Sequence, residues 1–334
     1  MSSDDDRGYT WRPITIEDTD AWLRLHNVIA EADATGDHCS REHFSRMFES
    51  SYIDFPRGSL GVFARGAEGA RGGEMVAYCF LRARTAAEPV HECLLEGGIH
   101  PEHRGFGLGT RLLTWAAEAS VPLHEERFPG APLSLCAGLI GGHAASAQLF
   151  ADQGYEPRRW FNTMRIDLSH ELPEAPLADG VTVRTFTPER SEDALRIRNE
   201  SFRDHWGTTE SSPELWAQVT RGSAFRPDFT VVAYEGEEPL ALVLSEEFEA
   251  YREATGKREL HIGLVGTLRV ARKRGLASAL LTRVLSRARA EGYDTASLGV
   301  DADSPTGAVG LYERIGFRSE QVWVVQIKPV IPAA

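Results

Sequence analysis

From Leu276 to Ala290 the sequence LASALLTRVLSRARA places Leu276, Leu280, Val284 and Ala288 at every fourth position, flanked by Leu281 and Leu285 and separated by polar residues. That spacing is one face of a helix, so the stretch predicts an amphipathic helix whose stripe packs on a core. The preceding ELHIGLVGTLRV (Glu259 to Val270) is rich in β-formers and predicts a strand. Simple alternation along it sets His261, Gly263, Val265 and Thr267 on one face. GEMVAYCFLRAR (Gly73 to Arg84) and GEEPLALVLSEE (Gly236 to Glu247) predict further strands, and HPEHRGFGLGTRLLTWAAEA (His100 to Ala119) predicts a second turn-and-helix.

These stretches form an internal repeat. Asn27 in RLHNVIAEAD matches Asn199 in RIRNESFRDH, and Arg104 matches Arg272. QLFADQGYEP (Gln148 to Pro157) matches GLYERIGFRS (Gly310 to Ser319). The matches keep their order, and PLHEERFPGAP (Pro122 to Pro132) is an extra loop in the first copy. Each copy reads as helices, a hairpin, a strand, a glycine turn, a helix, a strand, a helix and a last strand. The expectation is a mixed α/β sheet in each of two domains, 1–170 and 180–334. SHELPEAPLADG (Ser169 to Gly180), rich in proline and polar residues, would join them.

Composition narrows the partners. At 334 residues the chain is long for one core, and its formal net charge of −13 argues against a nucleic-acid binder, which needs a basic face. No run predicts a membrane span, and the acidic start MSSDDDRGYTW is no signal peptide. Cys39, Cys79, Cys93 and Cys136 form no Cys-x-x-Cys pair, which suits reduced cytoplasmic thiols better than disulfides or a metal site. The expectation is a cytoplasmic protein without bound metal, monomeric or homodimeric, acting on a small molecule.

Against that acidic background, VARKRG (Val270 to Gly275) sets Arg272, Lys273 and Arg274 directly before a helix. A helix start carries unpaired N–H groups and the positive end of the dipole, and Gly275 with the small Ala277 lets an anion approach the backbone. The pattern Arg-x-x-Gly-x-(Gly/Ala) recurs as Arg104, Gly107 and Gly109. It therefore reads either as a phosphate cradle or as a strand-to-helix turn with a solvated basic rim. A P-loop would end in Gly-Lys-(Ser/Thr), and a dinucleotide fingerprint would have a third glycine where GFGLGT has Thr110; neither fits.

Downstream of Arg272 comes LYERIGF (Leu311 to Phe317). The turn followed by this motif resembles the GNAT superfamily of acyl-CoA N-acyltransferases, here as two units in tandem. The arrangement also resembles the actinobacterial mycothiol-synthase-like two-domain acetyltransferases. The resemblance implies a twisted mixed sheet with helices on both faces and an acetyl-CoA pyrophosphate on the glycine turn. It also implies a thioester held in a splay between the two central strands. The cofactor-binding candidates are Leu268, Val270, Arg272, Lys273, Arg274, Gly275, Leu276, Ala277 and Ser278 in the second copy, with Arg104, Gly105, Gly107, Gly109 and Thr110 in the first.

Acyl transfer to an amine needs a base for the amine and a proton for the departing thiolate. In the family the tyrosine of the Leu-Tyr-Glu motif supplies that proton; Tyr312 stands there, whereas the first copy has Phe150. A packed aromatic is the other reading of Tyr312. His261 is the candidate base, a structural histidine being the alternative, and counting back from Arg104 puts Cys93 in its place in the first copy. Glu246 and Glu247 are alternative bases or binders of a cationic amine. Asp204, His205 and Trp206 in FRDHWGTT are candidates for the acceptor loop. The expected reaction is acetyl transfer to a primary amine of an amino sugar, aminoglycoside or similar metabolite. Transfer of a larger acyl group, a protein amine as acceptor and an acyl-CoA sensor without turnover remain the alternatives.

Overall fold

The structure, a computed structural model, describes residues 3–4, 8–50, 52–65, 73–84, 86–87, 89–203, 205, 210–304 and 307–332. The strands are β1 (Ser3–Asp4), β2 (Tyr9–Arg12), β3 (Ser59–Ala64), β4 (Met75–Ala83), β5 (His91–Ile99), β6 (Leu133–Ile140), β7 (Glu156–Asp167), β8 (Val181–Thr185), β9 (Val231–Glu235), β10 (Glu238–Glu246), β11 (Glu259–Thr267), β12 (Thr295–Asp301) and β13 (Arg318–Ile331). The helices are α1 (Thr19–Ala32), α2 (Arg41–Met47), α3 (Phe55–Gly58), α4 (Leu108–Glu125), α5 (Ala144–Asp152), α6 (Ser191–Phe202), α7 (Pro213–Thr220), α8 (Glu249–Thr255), α9 (Leu276–Ala290) and α10 (Ala308–Ile315).

Two compact units result, and they do not follow chain order. One comprises residues 1–159 with 323–334, the other residues 160–322. In the first, strands run β1-β2-β3-β4-β5-β6, and residues 323–331 of β13 pair antiparallel with β6 from Trp323↔Ile140 to Ile331↔Leu133. In the second, strands run β8-β9-β10-β11-β12, and Phe161–Asp167 of β7 pair antiparallel with β12. Each unit thus draws its last strand from the far end of the other half of the chain, whereas the sequence expectation placed a single join at 169–180. Main-chain hydrogen bonding makes either final strand acceptable to either edge, so hydropathy alone does not decide the pairing.

Within each unit one central pair is parallel, β5 with β6 and β11 with β12, and the remaining pairs are antiparallel. The expected mixed sheet is therefore present twice. In the second unit the stripe Leu276, Leu280, Val284, Ala288 packs α9 on Val243, Leu260, Ile262 and Ala296. The opposite sheet face meets α6 through Ala194, Ile197, Leu242 and Leu244. The first unit repeats this with Leu108, Leu112 and Ala116 of α4 on one face, and Trp22, Leu25, Tyr78 and Phe80 on the other.

Candidate active site

Both glycine turns adopt one backbone path. Arg104 and Arg272 are extended (φ −76°, −64°), Gly105 and Lys273 are left-handed (φ 79°, 64°), and Gly107 and Gly275 cap their helices in the left-handed region (φ 82°, 76°). Only glycine enters that region without a steric penalty, so Lys273 is held there at a cost on the order of 1 kcal/mol. Added Cβ atoms at Gly107 and Gly275 would meet nothing within 4 Å, so space stands open before the first N–H groups of α4 and α9.

Two of the three cations do not face that space freely. Arg272 donates from Nε to the Thr267 carbonyl at 3.3 Å and from Nη2 to the Ser201 carbonyl at 3.1 Å, bracing the end of β11 against α6. Arg104 likewise donates to the Ile99 carbonyl and forks onto Asp33, both oxygens at 2.8 Å. Arg274 pairs with Glu235 at 2.5 Å, while Lys273 is exposed. An anion placed at the turn would therefore meet main-chain N–H groups, the helix dipole and Lys273, while Arg272 braces the turn. Leu268 and Leu276 are buried, Ala277 and Ser278 are half-buried at the helix start, and Val270 stands 85% exposed beside the turn. In the first unit Gly109 serves packing: a Cβ there would lie 2.6 Å from Leu149 Cδ2. Thr110 is exposed and its carbonyl accepts from Thr114.

Beside each turn the sheet opens. β11 pairs with β12 from Glu259↔Thr295 to Ile262↔Leu298 and then stops, although the strands continue to Thr267 and Asp301. An alternate set of main-chain groups in Gly263–Thr267 thereby lacks a strand partner on the β12 side. β5 and β6 part in the same way after Leu95↔Ala137.

At the base of the second opening sits a β-bulge. Leu244 pairs with Leu264 but Ser245 pairs with Ile262, so Gly263 is the extra residue. The bulge resets the expected alternation. His261 shares the α6 face with Leu264 and Gly266, while Val265 turns to the α9 face with Ile262. Opposite His261 in register is Glu246, whose Oε2 lies 2.6 Å from where a Cβ on Gly263 would be. Burial pushes the Glu246 carboxyl up, and among the described residues its side chain has neither hydrogen bond nor ion pair. Burial pulls the His261 imidazole down, so it stays neutral to lower pH than an ordinary histidine. Its Nδ1 is 3.1 Å from Ser297 Oγ, directly across on β12. Ser297 donates to Glu259 Oε1 at 2.8 Å, and Thr295 and Arg165 donate to Glu259 Oε2. One level of the sheet thus reads Arg165 (β7), Ser297 (β12), His261 (β11), Glu246 (β10). The sequence reading missed Arg165, Ser297 and Glu259. Glu259 was within reach two residues before His261 on the same strand face, but the other two need the register.

Tyr312 lies on α10, which packs on α9 and β12; it is 8% exposed and sits edge-on to Phe317 with ring centres 6.0 Å apart. Burial pushes its phenol up to about 12, and its hydroxyl has no hydrogen-bond partner among the described residues. Phe150 is half-buried against Tyr155.

Glu247 goes elsewhere. One residue past Glu246 it points to the opposite sheet face, where Arg258 and Arg226 each approach to 2.8 Å and the Tyr293 hydroxyl donates at 2.6 Å. Burial pushes its carboxyl up, but these three donors outweigh that and hold it at about 2. Its oxygens are occupied, which leaves it a structural ion centre and removes it from the amine-binding candidates. His205 caps the end of α6 through its N–H to the Phe202 carbonyl and packs on the Phe202 ring; Asp204 and Trp206 lie outside the described residues.

The bulge also revises the equivalence between the halves. Counting by register, Leu95↔Ala137 and Ile262↔Leu298 are the last pairs before each opening, so Leu94, and not Cys93, stands where His261 stands. Cys93 is buried on the α4 face, its thiol pushed up to about 12 by burial. The corresponding level of the first unit reads Ile327, Cys136, Leu94, Arg82. Arg82 is ion-paired with Glu96, whose carboxyl is raised by burial. Elsewhere in that unit His26, Asp37 and Cys39 bring ligand-type atoms within 4.8 Å of one another, but both His26 nitrogens already have partners, Tyr78 Oη at 3.2 Å and the Asp37 carbonyl at 2.9 Å.

Known proteins resemble this chain in sequence and fold. Residues 191–317 match the Acetyltransferase (GNAT) family. The chain is 30% identical over 323 residues to a protein named mycothiol acetyltransferase from Streptomyces coelicolor, covering 92% of this chain and 91% of the relative. It is 32% identical over 248 residues to one of the same name from Streptomyces scabiei, covering 74% of each. Among solved structures, a GCN5-related N-acetyltransferase from Sphaerobacter thermophilus superposes with a TM-score of 0.77 at 28% identity, covering 99% of this chain and 98% of that one. A tandem GNAT protein from the clavulanic acid biosynthesis pathway gives 0.66 at 15% identity, covering 98% of this chain and all of that one, a likeness of fold. Among the described residues no helix is long and apolar enough to cross a membrane.

Proposed function

This chain belongs to the GNAT acetyltransferase family, and we propose that its second unit moves an acetyl group from acetyl-CoA to a primary amine of a small molecule. The observation that carries the reading is the neutral-tending His261 opposite the buried Glu246, which has no side-chain partner among the described residues, both at the base of the β11–β12 opening. GNAT acetyltransferases as a family use acetyl-CoA, and the residues present fit it. The left-handed Lys273 and Gly275 leave an open cradle before α9, in which the N–H groups of Leu276, Ala277 and Ser278 would hold the pyrophosphate. When bound, acetyl-CoA would supply the acetyl group as a thioester.

The protein's share of the chemistry is proton handling and orientation. An amine reaches the site as its ammonium form; His261 accepts one proton from it, and the nitrogen lone pair becomes nucleophilic. Glu246, facing His261, receives the cationic amine or takes over as base. Main-chain N–H groups beyond Gly263 that have no strand partner on β12 would be donors for a carbonyl oxygen gathering charge. The Tyr312 hydroxyl, protonated at neutral pH with its pKa at about 12, is the group that would donate to a departing sulfur. A thiol titrates near ~8.5, so this donation stabilises developing charge, while complete transfer would be uphill.

The relatives' names direct the choice of acceptor. The test is thiol release from acetyl-CoA with a panel headed by the desacetyl form of mycothiol, followed by amino sugars, aminoglycosides and peptide N-termini. The expected result is release with small-molecule amines and none with peptides. Release with peptides alone, or only with longer acyl-CoA donors, would replace this reading.

A further inference from the structure

The Glu259–Ser297 pair does more than fill space beside His261. We infer that Glu259 and Ser297 lock His261 in the tautomer protonated on Nδ1, so that Nε2 is left as the proton acceptor; the inference rests on the reading of His261 as the base. The assignment follows from counting protons. A carboxylate only accepts, and Glu259 receives Ser297 at 2.8 Å, Thr295 at 3.0 Å and Arg165. Ser297 has a single hydroxyl proton and spends it on Glu259, so its oxygen toward His261 must act as acceptor. His261 Nδ1, at 3.1 Å, is then the donor. A neutral imidazole carries one N–H, which leaves the Nε2 lone pair free.

Burial and register hold the arrangement. Ser297 is 3% exposed, and parallel pairing sets His261 against Ser297 and Glu259 against Thr295. Arg165, opposite Ser297 on β7, keeps Glu259 in place through the ion pair and also meets Glu320. The groups facing His261 are accordingly Glu259 and Arg165 from one side, Glu246 from β10, and the Phe248 ring at 5.7 Å. As His261 gains the amine proton on Nε2, its Nδ1–H···Ser297···Glu259 chain bears the new positive charge without any further proton moving. Ser297 and Glu259 are thus positioning residues. The first unit keeps a carboxylate at the matching place, Glu92 two residues before Leu94, but Cys136 stands where Ser297 stands, so the chain is not reproduced there.

The experiment is long-range ¹H–¹⁵N spectroscopy of the full chain labelled at histidine, with the His261 signals assigned by their loss in His261→Gln. At a pH where the ring is neutral, the wild type should show Nδ1 protonated and Nε2 bare. Ser297→Ala should move the ring toward the Nε2–H tautomer and lower kcat/KM about tenfold, the scale seen when an orienting partner of a histidine is removed. Ser297→Thr, which keeps the hydroxyl, should restore both. A wild-type ring protonated on Nε2, or a Ser297→Ala ring unchanged in tautomer, overturns the inference. Full turnover in His261→Gln, together with an Nδ1–H ring in the wild type, would instead refute the base assignment and leave the lock standing.

Discussion

The two units offer one scaffold carrying two different sets of side chains. At matching levels of matching sheets, the second unit places Arg165, Ser297, His261 and Glu246, and the first places Ile327, Cys136, Leu94 and Arg82. On the following helix Tyr312 faces Phe150 in the comparison. Meanwhile the turns coincide in backbone conformation, and both sheets open at the same place. The fold, the turn and the opening are therefore properties of the repeat, while proton chemistry depends on a few positions and on one extra residue, Gly263. That bulge brings Glu246 beside His261; the unbulged β4–β5 pair sets Arg82 against Leu94 instead.

The largest effect should come from cutting the chain. A fragment 180–334 loses Phe161–Asp167, the strand that pairs along all of β12 and carries Arg165. It should show no cooperative thermal transition by circular dichroism, whereas 160–322, a compact unit, should melt cooperatively. A cooperative melt of 180–334 would mean that the exchanged strand is dispensable.

Chemistry comes next. His261→Gln should lower kcat/KM by roughly 10²–10⁴-fold if the imidazole is the base. Leu94→His should create nothing, because Cys136 stands in place of Ser297 and Arg82 in place of Glu246 beside it. Since burial lowers the His261 pKa, the acid limb of the wild-type kcat/KM profile should lie below the ordinary imidazole value of 6.5. A limb at or above that value would contradict the buried His261 as the titrating base.

Smaller, and aimed at the turns, are Gly275→Glu and Gly107→Glu. Both residues are left-handed, so both variants bear similar backbone strain and differ in which cradle receives the negative charge. Gly275→Glu should weaken acetyl-CoA binding and turnover together, by about tenfold or more, while Gly107→Glu should leave turnover in place. Calorimetry and steady-state rates separate the two, and the reverse pattern would move the productive site to the first unit.

The smallest effect concerns stability alone. Glu247→Gln should cost about 2 kcal/mol by weakening bonds to two arginines. Because the folded carboxyl sits at about 2 against an ordinary 4.5, Glu247 stabilises the fold above pH 4.5 and loses that contribution as pH falls toward 2. Denaturant titrations should therefore converge for wild type and variant across that window. A constant gap would assign the cost to packing.

The turns and the last helix of each unit were legible because their signals are local. A glycine that must be left-handed, an apolar residue every fourth position and Leu-Tyr-Glu before a glycine all survive without knowledge of neighbours. The family followed from those motifs. What escaped depends on register. Alternation carried across Gly263 misplaces Val265, and the same count back from Arg104 leads to Cys93 where Leu94 stands, since an unseen bulge flips every later side chain and adds one residue. Arg272 and Arg274 read as anion ligands because a cation in a sequence does not reveal that the Ser201 carbonyl or Glu235 already holds it. Glu246 and Glu247 look alike in the chain, yet adjacent strand residues face opposite ways, one toward the opening and one into a cage of Arg226, Arg258 and Tyr293. The exchanged strands were invisible for the reason already given, that either strand edge accepts either partner.

The central claim is that the second unit alone performs the transfer, with Tyr312 as donor to the leaving sulfur. Its most direct test is a single-turnover rapid-quench measurement of acetyl transfer in Tyr312→Phe, a change that removes one hydroxyl without a partner among the described residues and matches Phe150 of the first unit. The rate of the chemical step should fall by roughly 10²–10⁴-fold, while calorimetry finds acetyl-CoA affinity unchanged and the thermal midpoint stays put. A Tyr312→Phe enzyme that transfers acetyl at the wild-type single-turnover rate would contradict the account.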